Sequence, residues 1–478
     1  MPLWAIQLGF AIYWLIFAFA FGACAGSLIN VLVYRMPRGI SVITPPSACP
    51  KCHTRLRWRD NIPVLGWIIL RGRCRYCQAK ISPEYPIVEA IVGLMFALAL
   101  VICFLIPPGF TVLGVPVWEM RPDWARPPNN AADVFPIFII LLVLLGSLIA
   151  MTIVDARTFT IPLALAWVPA IVGIVGAPLA ALWVNSRTGG MGLRAPAPTW
   201  SWAIPSPGMY GWYVVGLALG GAAGVILSNL LMRFGLLRQS FADYDEWEKK
   251  ALAKAKAQDG VDPAAESADQ KPAEAPAAPT PEPASAAPVP SGPNPDLGSP
   301  SIWIQYPHAR REMLKELLFV GPPLALALIG GMIAANFAGA GANPITGVMT
   351  AKVAVPPWLD ALSGALLGYL VGAGVVWAVR ILGSLGFGKE AMGLGDVHLM
   401  GAVGACLGWI DATLAFFGAA FVGLSWTLLA ALSSGRLNRA MPYGPFLAIS
   451  TILVWLAKPL IERGLGALLS HGGPISLP

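Results

Sequence analysis

The chain has 478 residues, 56% of them hydrophobic and only 12% charged, with a mean hydropathy of +0.66. A soluble domain carries about 25% charged residues, so this balance excludes one large soluble core and points to a polytopic membrane protein. The net charge of +7 is read through the positive-inside bias; no basic patch interleaved with aromatics speaks for nucleic-acid binding.

The first run, Leu3–Tyr34, is too long and too weakly charged at its start for a cleaved signal peptide. It is read as a retained span with its N-terminus outside. Further runs of about 20 apolar residues, enough to cross a bilayer, follow near 86–106, 135–155, 161–183, 211–232, 317–337, 357–383, 397–432 and 442–460. Gly408-Trp409-Ile410-Asp411 can divide the long 397–432 run into two crossings. The expected fold is all-α, with about 8–10 transmembrane helices embedded in the lipid bilayer.

The expected organisation is a first transmembrane helix (1–34), a charged cysteine-bearing insert (35–85), helices over 86–232, a loop over 233–315, and helices over 316–478. Residues 184–210 read as an external loop. Tyr244–Lys256 reads as a short charged helix, and 257–300, almost all Ala, Pro, Glu, Ser and Asp, cannot bury enough apolar surface to fold. No internal repeat is evident. With the first span running outside to inside, the insert and the 233–315 loop are cytoplasmic. The loop carries Arg233, Arg238, Lys249, Lys250, Arg310 and Arg311, and Arg380, Lys389, Arg436 and Arg439 fall on the same side.

Cys49-Pro50-Lys51-Cys52 and Cys74-Arg75-Tyr76-Cys77 are paired CxxC knuckles separated by 21 residues. Four such thiolates can enclose a tetrahedral zinc as a closed structural site. Lys51, Arg71, Arg73 and Arg75 are expected to favour thiolates, and a reducing cytoplasm disfavours disulfides. A redox pair or unrelated thiols is the alternative. His53 is superfluous once four sulfurs are counted. A closed site leaves no position for substrate, so its metal would shape a domain and not perform chemistry. Cys24, Cys103 and Cys406 lie in spans, where Cys is usually a small apolar filler.

Asp155 ends the hydrophobic run Phe135–Val154, and Asp396 closes Gly393-Leu394-Gly395-Asp396 between apolar stretches. A carboxylate beside hydrocarbon is expensive, so an ionisable residue there is a functional candidate. The competing reading is a helix-end charge snorkelling to water. Both carboxylates fall on the same face in the topology above, which suits two groups sharing a proton, one as base and one as acid. Gly393 and Gly395, lacking Cβ atoms, would let backbone approach an extended peptide and allow a positive φ beside Asp396; small-residue helix packing is the alternative.

Taken in order, these motifs resemble the type IV prepilin leader peptidase/N-methyltransferase family, the membrane GxGD aspartic peptidases of type IV pilus and type II secretion systems. The resemblance rests on Gly26-Ser27-Leu28-Ile29-Asn30-Val31 with Tyr34-Arg35-Met36-Pro37, then Ser47–Cys52, Asp60–Trp67, Leu70–Cys77 and Tyr85–Glu89. Asp155 with Thr160-Ile161-Pro162 resembles the first catalytic motif, Met392–Val397 the second, and Pro442-Tyr443-Gly444-Pro445-Phe446 the last signature. Leu163 and His398 depart from the residues common in the family. The chain is also longer, through segments near 107–134, 184–210, 240–312 and 338–356.

The resemblance implies an aspartic endopeptidase of the inner (cytoplasmic) membrane, its active site facing the cytoplasm. It would cut the basic leader of prepilins and pseudopilins after a Gly, with Asp155 and Asp396 catalytic, and then methylate the new N-terminus with S-adenosylmethionine. No glycine-rich nucleotide fingerprint is present; the place to look for that cofactor is the insert and the 86–93 helix start. Glu84 and Glu89 are candidates to hold the basic leader, with a structural salt bridge as the alternative for Glu89. A rival reading, a transporter with proton-coupled aspartates, explains Asp155 and Asp396 but not the four cysteines. An inactive secretion scaffold would have lost an aspartate, and neither is lost.

Overall fold

The computed structural model describes residues 3–189, 209–250, 308–434 and 442–468, apart from 45, 113–114, 128, 245, 248–249, 339, 343–348 and 352. The segment 257–300, most of the 184–210 loop, most of Tyr244–Lys256, and Arg436 and Arg439 lie outside the described residues.

The apolar runs form helices. In chain order these are α1 (Leu3–Arg35), the short α2 (Leu65–Ile69) in the insert, α3 (Glu84–Leu100), α4 (Ala131–Thr158), α5 (Leu163–Arg187), α6 (Met209–Arg233), α7 (Ala309–Ala338), α8 (Pro357–Phe387), α9 (Leu394–Leu407), α10 (Trp409–Ser434) and α11 (Gly444–Leu468). Among the described residues nine helices are long and apolar enough to cross a membrane. The protein is therefore an all-α, multi-pass membrane protein.

The long 397–432 run does divide, at Gly408, whose φ of 92° breaks the helix between α9 and α10. The 14 residues of α9 rise only about 21 Å, short of the roughly 30 Å hydrocarbon core. Lys458 of α11 holds the turn between them by an ion pair of 3.3 Å to the buried Asp411. α7 starts at Ala309, a full two turns before the expected apolar run. Two small hairpins add the only strands among the described residues. Thr111–Val112 pairs with Val115–Pro116, and Ala340–Ala342 with Met349–Ala351.

The core centres on α4. Leu144, Leu145, Leu148, Met151 and Val154 are all at most 2% exposed. The most apolar stretch of α4 is 67% buried, against 6% for α7, so α4 is a central helix and α7 a peripheral one presenting Leu324, Leu328 and Ile333 outward. α4 ends in a turn fixed twice over. Phe159 takes a left-handed conformation (φ 54°), and Pro162 then sets the first turn of α5. That turn places Asp155 in the last turn of α4. α3 and α4 pack with α1, α5 packs with α8 and α9, and α10 with α11.

Candidate active site and four-cysteine centre

Asp155 and Asp396 are 6% and 8% exposed, and they come from opposite helix ends. Asp155 accepts a hydrogen bond of 2.9 Å from the Gly444 backbone N–H, at the first residue of α11. A Cβ at Gly444 would stand 2.5 Å from the Asp155 Oδ2, so only glycine lets the helix start close on the carboxylate. Asp396 is the third residue of α9, and its carboxylate reaches back to the N–H of Gly393, the helix cap. This is the side-chain half of a capping box, at the helix end that favours negative charge.

α4, which carries Asp155, packs against α9, which carries Asp396. The α4–α5 turn completes the contact. A Cβ on Gly395 would lie 2.9 Å from the Cβ of Ile161, so this glycine lets the first turn of α9 pack against Thr160-Ile161-Pro162. The expected positive φ is absent at both glycines: Gly393 is extended (φ −74°, ψ 149°) and Gly395 is helical. Close approach, not backbone handedness, is what the sequence needs at Gly395. Tyr443 donates at 3.4 Å to the Phe416 carbonyl and packs edge-on against Phe416 and Phe446, which anchors Pro442–Phe446 beside both aspartates.

Two residues singled out from the sequence lie nearby. Arg380 is 1% exposed and paired with Glu316 and Glu390. His398 bonds Tyr369 at 3.1 Å, with Trp167 near both rings.

In the insert, Cys49, Cys52, Cys74 and Cys77 converge. Their sulfurs all lie within 4.8 Å of one another, with Cys49–Cys77 at 3.7 Å and Cys52–Cys74 at 4.0 Å. Zinc–sulfur bonds of about 2.3 Å in a tetrahedron require sulfurs about 3.8 Å apart, so the quartet fits that metal. All seven cysteines are free of disulfides.

The two knuckles are copies of one another. His53 N–H donates to the Cys49 carbonyl (2.9 Å) and Gln78 N–H to Cys74 (3.0 Å). Cys49 N–H pairs with Thr54, and Cys74 N–H with Ala79. Bridges Ala48–Arg55 and Arg73–Lys80 close them, and His53 and Gln78 share a positive φ of 55° and 58°. His53 is therefore a turn residue. Hydrogen bonds from the Thr54 hydroxyl and backbone pull the Cys52 thiol down to about 6. Against a hydrogen bond from Ala79, burial and the neighbouring sulfurs push Cys77 up to about 11. These local bonds, and not Lys51 or the arginines, set the thiols apart. Arg75 is occupied by Asp60 at 2.7 Å.

The insert is tied to the bundle through Glu89 of α3, which accepts the Val64 N–H at 2.7 Å. Glu84 pairs with Arg157 at 3.1 Å. Glu89 is thus a structural acceptor. The exposed face at the start of α3 carries Ile87, Ile91 and Leu94.

Comparison with known proteins fits this arrangement. The model of the bacterial peptidase A24 N-terminal domain matches residues 20–103, which span the second half of α1, the cysteine insert and all of α3. Over those residues the chain is similar to that domain. It is 41% identical over 120 residues to a prepilin leader peptidase/N-methyltransferase of Klebsiella pneumoniae, covering 24% of this chain and 50% of that protein. It is 32% identical over 185 residues to one of Dickeya chrysanthemi, covering 34% and 55%. A third, from Myxococcus xanthus, is 47% identical over 81 residues, covering 17% and 24%. The matched stretches span about half or less of these relatives, and the resemblance read from the motifs is independently supported over them. No solved structure matches.

Proposed function

We propose that the protein is a prepilin leader peptidase, cleaving the leader of type IV prepilins and pseudopilins with Asp155 and Asp396. The observation that carries this reading is the meeting of two buried carboxylates from α4 and α9, closed by the Gly444 amide of α11. One carboxylate takes a proton from water, which attacks the scissile carbonyl carbon. The other donates its proton to the carbonyl oxygen or to the leaving amine. The pair shares its protons, and its titration belongs to both groups together. Gly393 puts no side chain beside Asp396, and Gly395 lets the α4–α5 turn pack against the start of α9.

The topology from positive charge puts this site at the cytoplasmic face of the inner membrane, where the cleavage point of a prepilin with an apolar membrane helix would lie. Zinc held by the four cysteines would stabilise the insert, which Glu89 ties to α3. N-methylation of the new N-terminus, with S-adenosylmethionine supplying the methyl group, rests on the likeness to relatives named prepilin leader peptidase/N-methyltransferase. The transporter reading leaves the knuckles and the Gly444 contact without a role.

The test is co-expression with a candidate prepilin, following leader loss by mass. The wild type should remove the leader, while Asp155→Asn and Asp396→Asn each abolish removal at equal membrane abundance. Near-normal processing by either variant would sink the two-aspartate mechanism.

A further inference from the structure

A charged cluster sits directly behind the glycine loop that precedes Asp396, and none of its members belongs to the proposed chemistry. Arg380 of α8 is 1% exposed. Its guanidinium lies 3.1 Å from Glu316 of α7 and 2.5 Å from Glu390, and it donates to the backbone carbonyl of Met392. Glu316, 3% exposed, also accepts the indole N–H of Trp377 at 2.7 Å. The ring of Phe241 covers the guanidinium at 5.4 Å, and the Phe241 backbone N–H bonds Glu312 of α7 at 2.7 Å.

Burying an arginine and a glutamate is expensive, and removing one partner strands the other. A charge that served only to orient the chain in the bilayer would sit at the headgroups, where it costs little. Here the guanidinium fork is spent on acceptors from two segments, α7 and the loop before α9, and its backbone contact falls on Met392, the residue before the helix cap of Asp396. The loop needs such a tie. Gly393 and Gly395 have no side chains to pin it, and its other tether is the Ala391 N–H on Ser384 at 3.0 Å. Arg380 also acts electrostatically on Asp396.

We propose that Arg380 is a positioning residue for Asp396: clamped by Glu316 of α7 and by Glu390, it fixes the Met392 carbonyl and through it the first turn of α9. The otherwise peripheral α7, which follows the 233–315 loop, is thereby tied to the loop that carries Asp396. The consequence for cleavage rests on the peptidase reading; the ordering of the loop does not.

The experiment compares the wild type with Arg380→Met/Glu316→Met in lipid nanodiscs. Replacing both members by apolar side chains of similar length removes the clamp without stranding a charge on its partner. Amide hydrogen exchange over residues 388–396 should quicken by at least about tenfold. Prepilin cleavage should lose about a hundredfold in kcat with KM unchanged, the scale expected for a misplaced catalytic group. Arg380→Lys, which keeps the charge but not the fork, should recover part of both.

Unchanged exchange in a normally inserted double variant overturns the proposal, whether or not the wild type cleaves. Quickened exchange with unchanged kcat also overturns it. Quickened exchange with a wild type that cleaves no prepilin leaves the positioning role standing and removes the peptidase reading. If the double variant fails to insert, Glu390→Gln, at a half-exposed partner, is read by the same two measurements and the same outcomes decide.

Discussion

Gly444 leaves the candidate site little room for change. Its backbone N–H is the hydrogen-bond donor to Asp155, and any Cβ there would sit 2.5 Å from the Asp155 Oδ2, a separation that real side chains do not adopt. Gly444→Ala must therefore push the Asp155 carboxylate aside or lift the start of α11. Because a misplacement of about 1 Å can cost roughly a hundredfold in rate, we expect cleavage to fall by about that factor while membrane insertion is kept. Full activity of the alanine variant would show that Asp155 does not work from this position. Both aspartates were legible in the sequence because a carboxylate interrupting an apolar run is conspicuous. Tyr443 and Gly444 were legible only through the family resemblance, since nothing in Pro442–Phe446 announces a partner on a helix far back in the chain. Arg380 was counted from the sequence as a cytoplasmic-side charge; its pairing with the buried Glu316 is something sequence does not display.

At the level of elements, the insert is built by local hydrogen bonding around each cysteine pair, and its two halves meet only at the sulfurs. Each knuckle has its own bridge and its own positive-φ residue, His53 or Gln78, yet the short helix α2 is the one regular element of any length between them. So small a unit has little apolar surface to bury, and metal binding should supply much of its folding free energy. We expect about one zinc per chain in purified protein. Cys49→Ser, Cys52→Ser, Cys74→Ser or Cys77→Ser should each lose it and expose the insert to protease, with the membrane helices intact. Metal analysis showing no zinc in the wild type would overturn this assignment. The quartet itself was plain from spacing, but the repeat it forms was not. Outside the cysteines the two knuckles share no residue identities, and the likeness lies in backbone bonds that sequence does not display.

For the whole molecule, helix number was readable because hydrocarbon thickness sets a length that apolar runs must meet. The break at Gly408 was legible in Gly408-Trp409-Ile410-Asp411, but not that the piece before it, α9, has only 14 residues and falls short of a full crossing. The chain between α6 and α7 includes the 257–300 segment, Pro-rich and low in apolar content, a composition expected not to bury a core. Among the described residues, Phe241 on Arg380 and Glu312 and Glu316 on α7 reach toward the candidate site. Deleting 257–300 spares all of these and leaves enough chain to join Arg233 to Ala309. Loop-closure entropy changes only slowly with length, by about 0.6 kcal/mol for each doubling, so the bundle should fold as before. We therefore expect the deletion protein to process a prepilin in membranes at a rate close to the wild type. Loss of cleavage with normal insertion and an unchanged exchange pattern over 388–396 would mean that this segment itself takes part in recognising the substrate, since neither the bundle nor the Asp396 loop would have been disturbed.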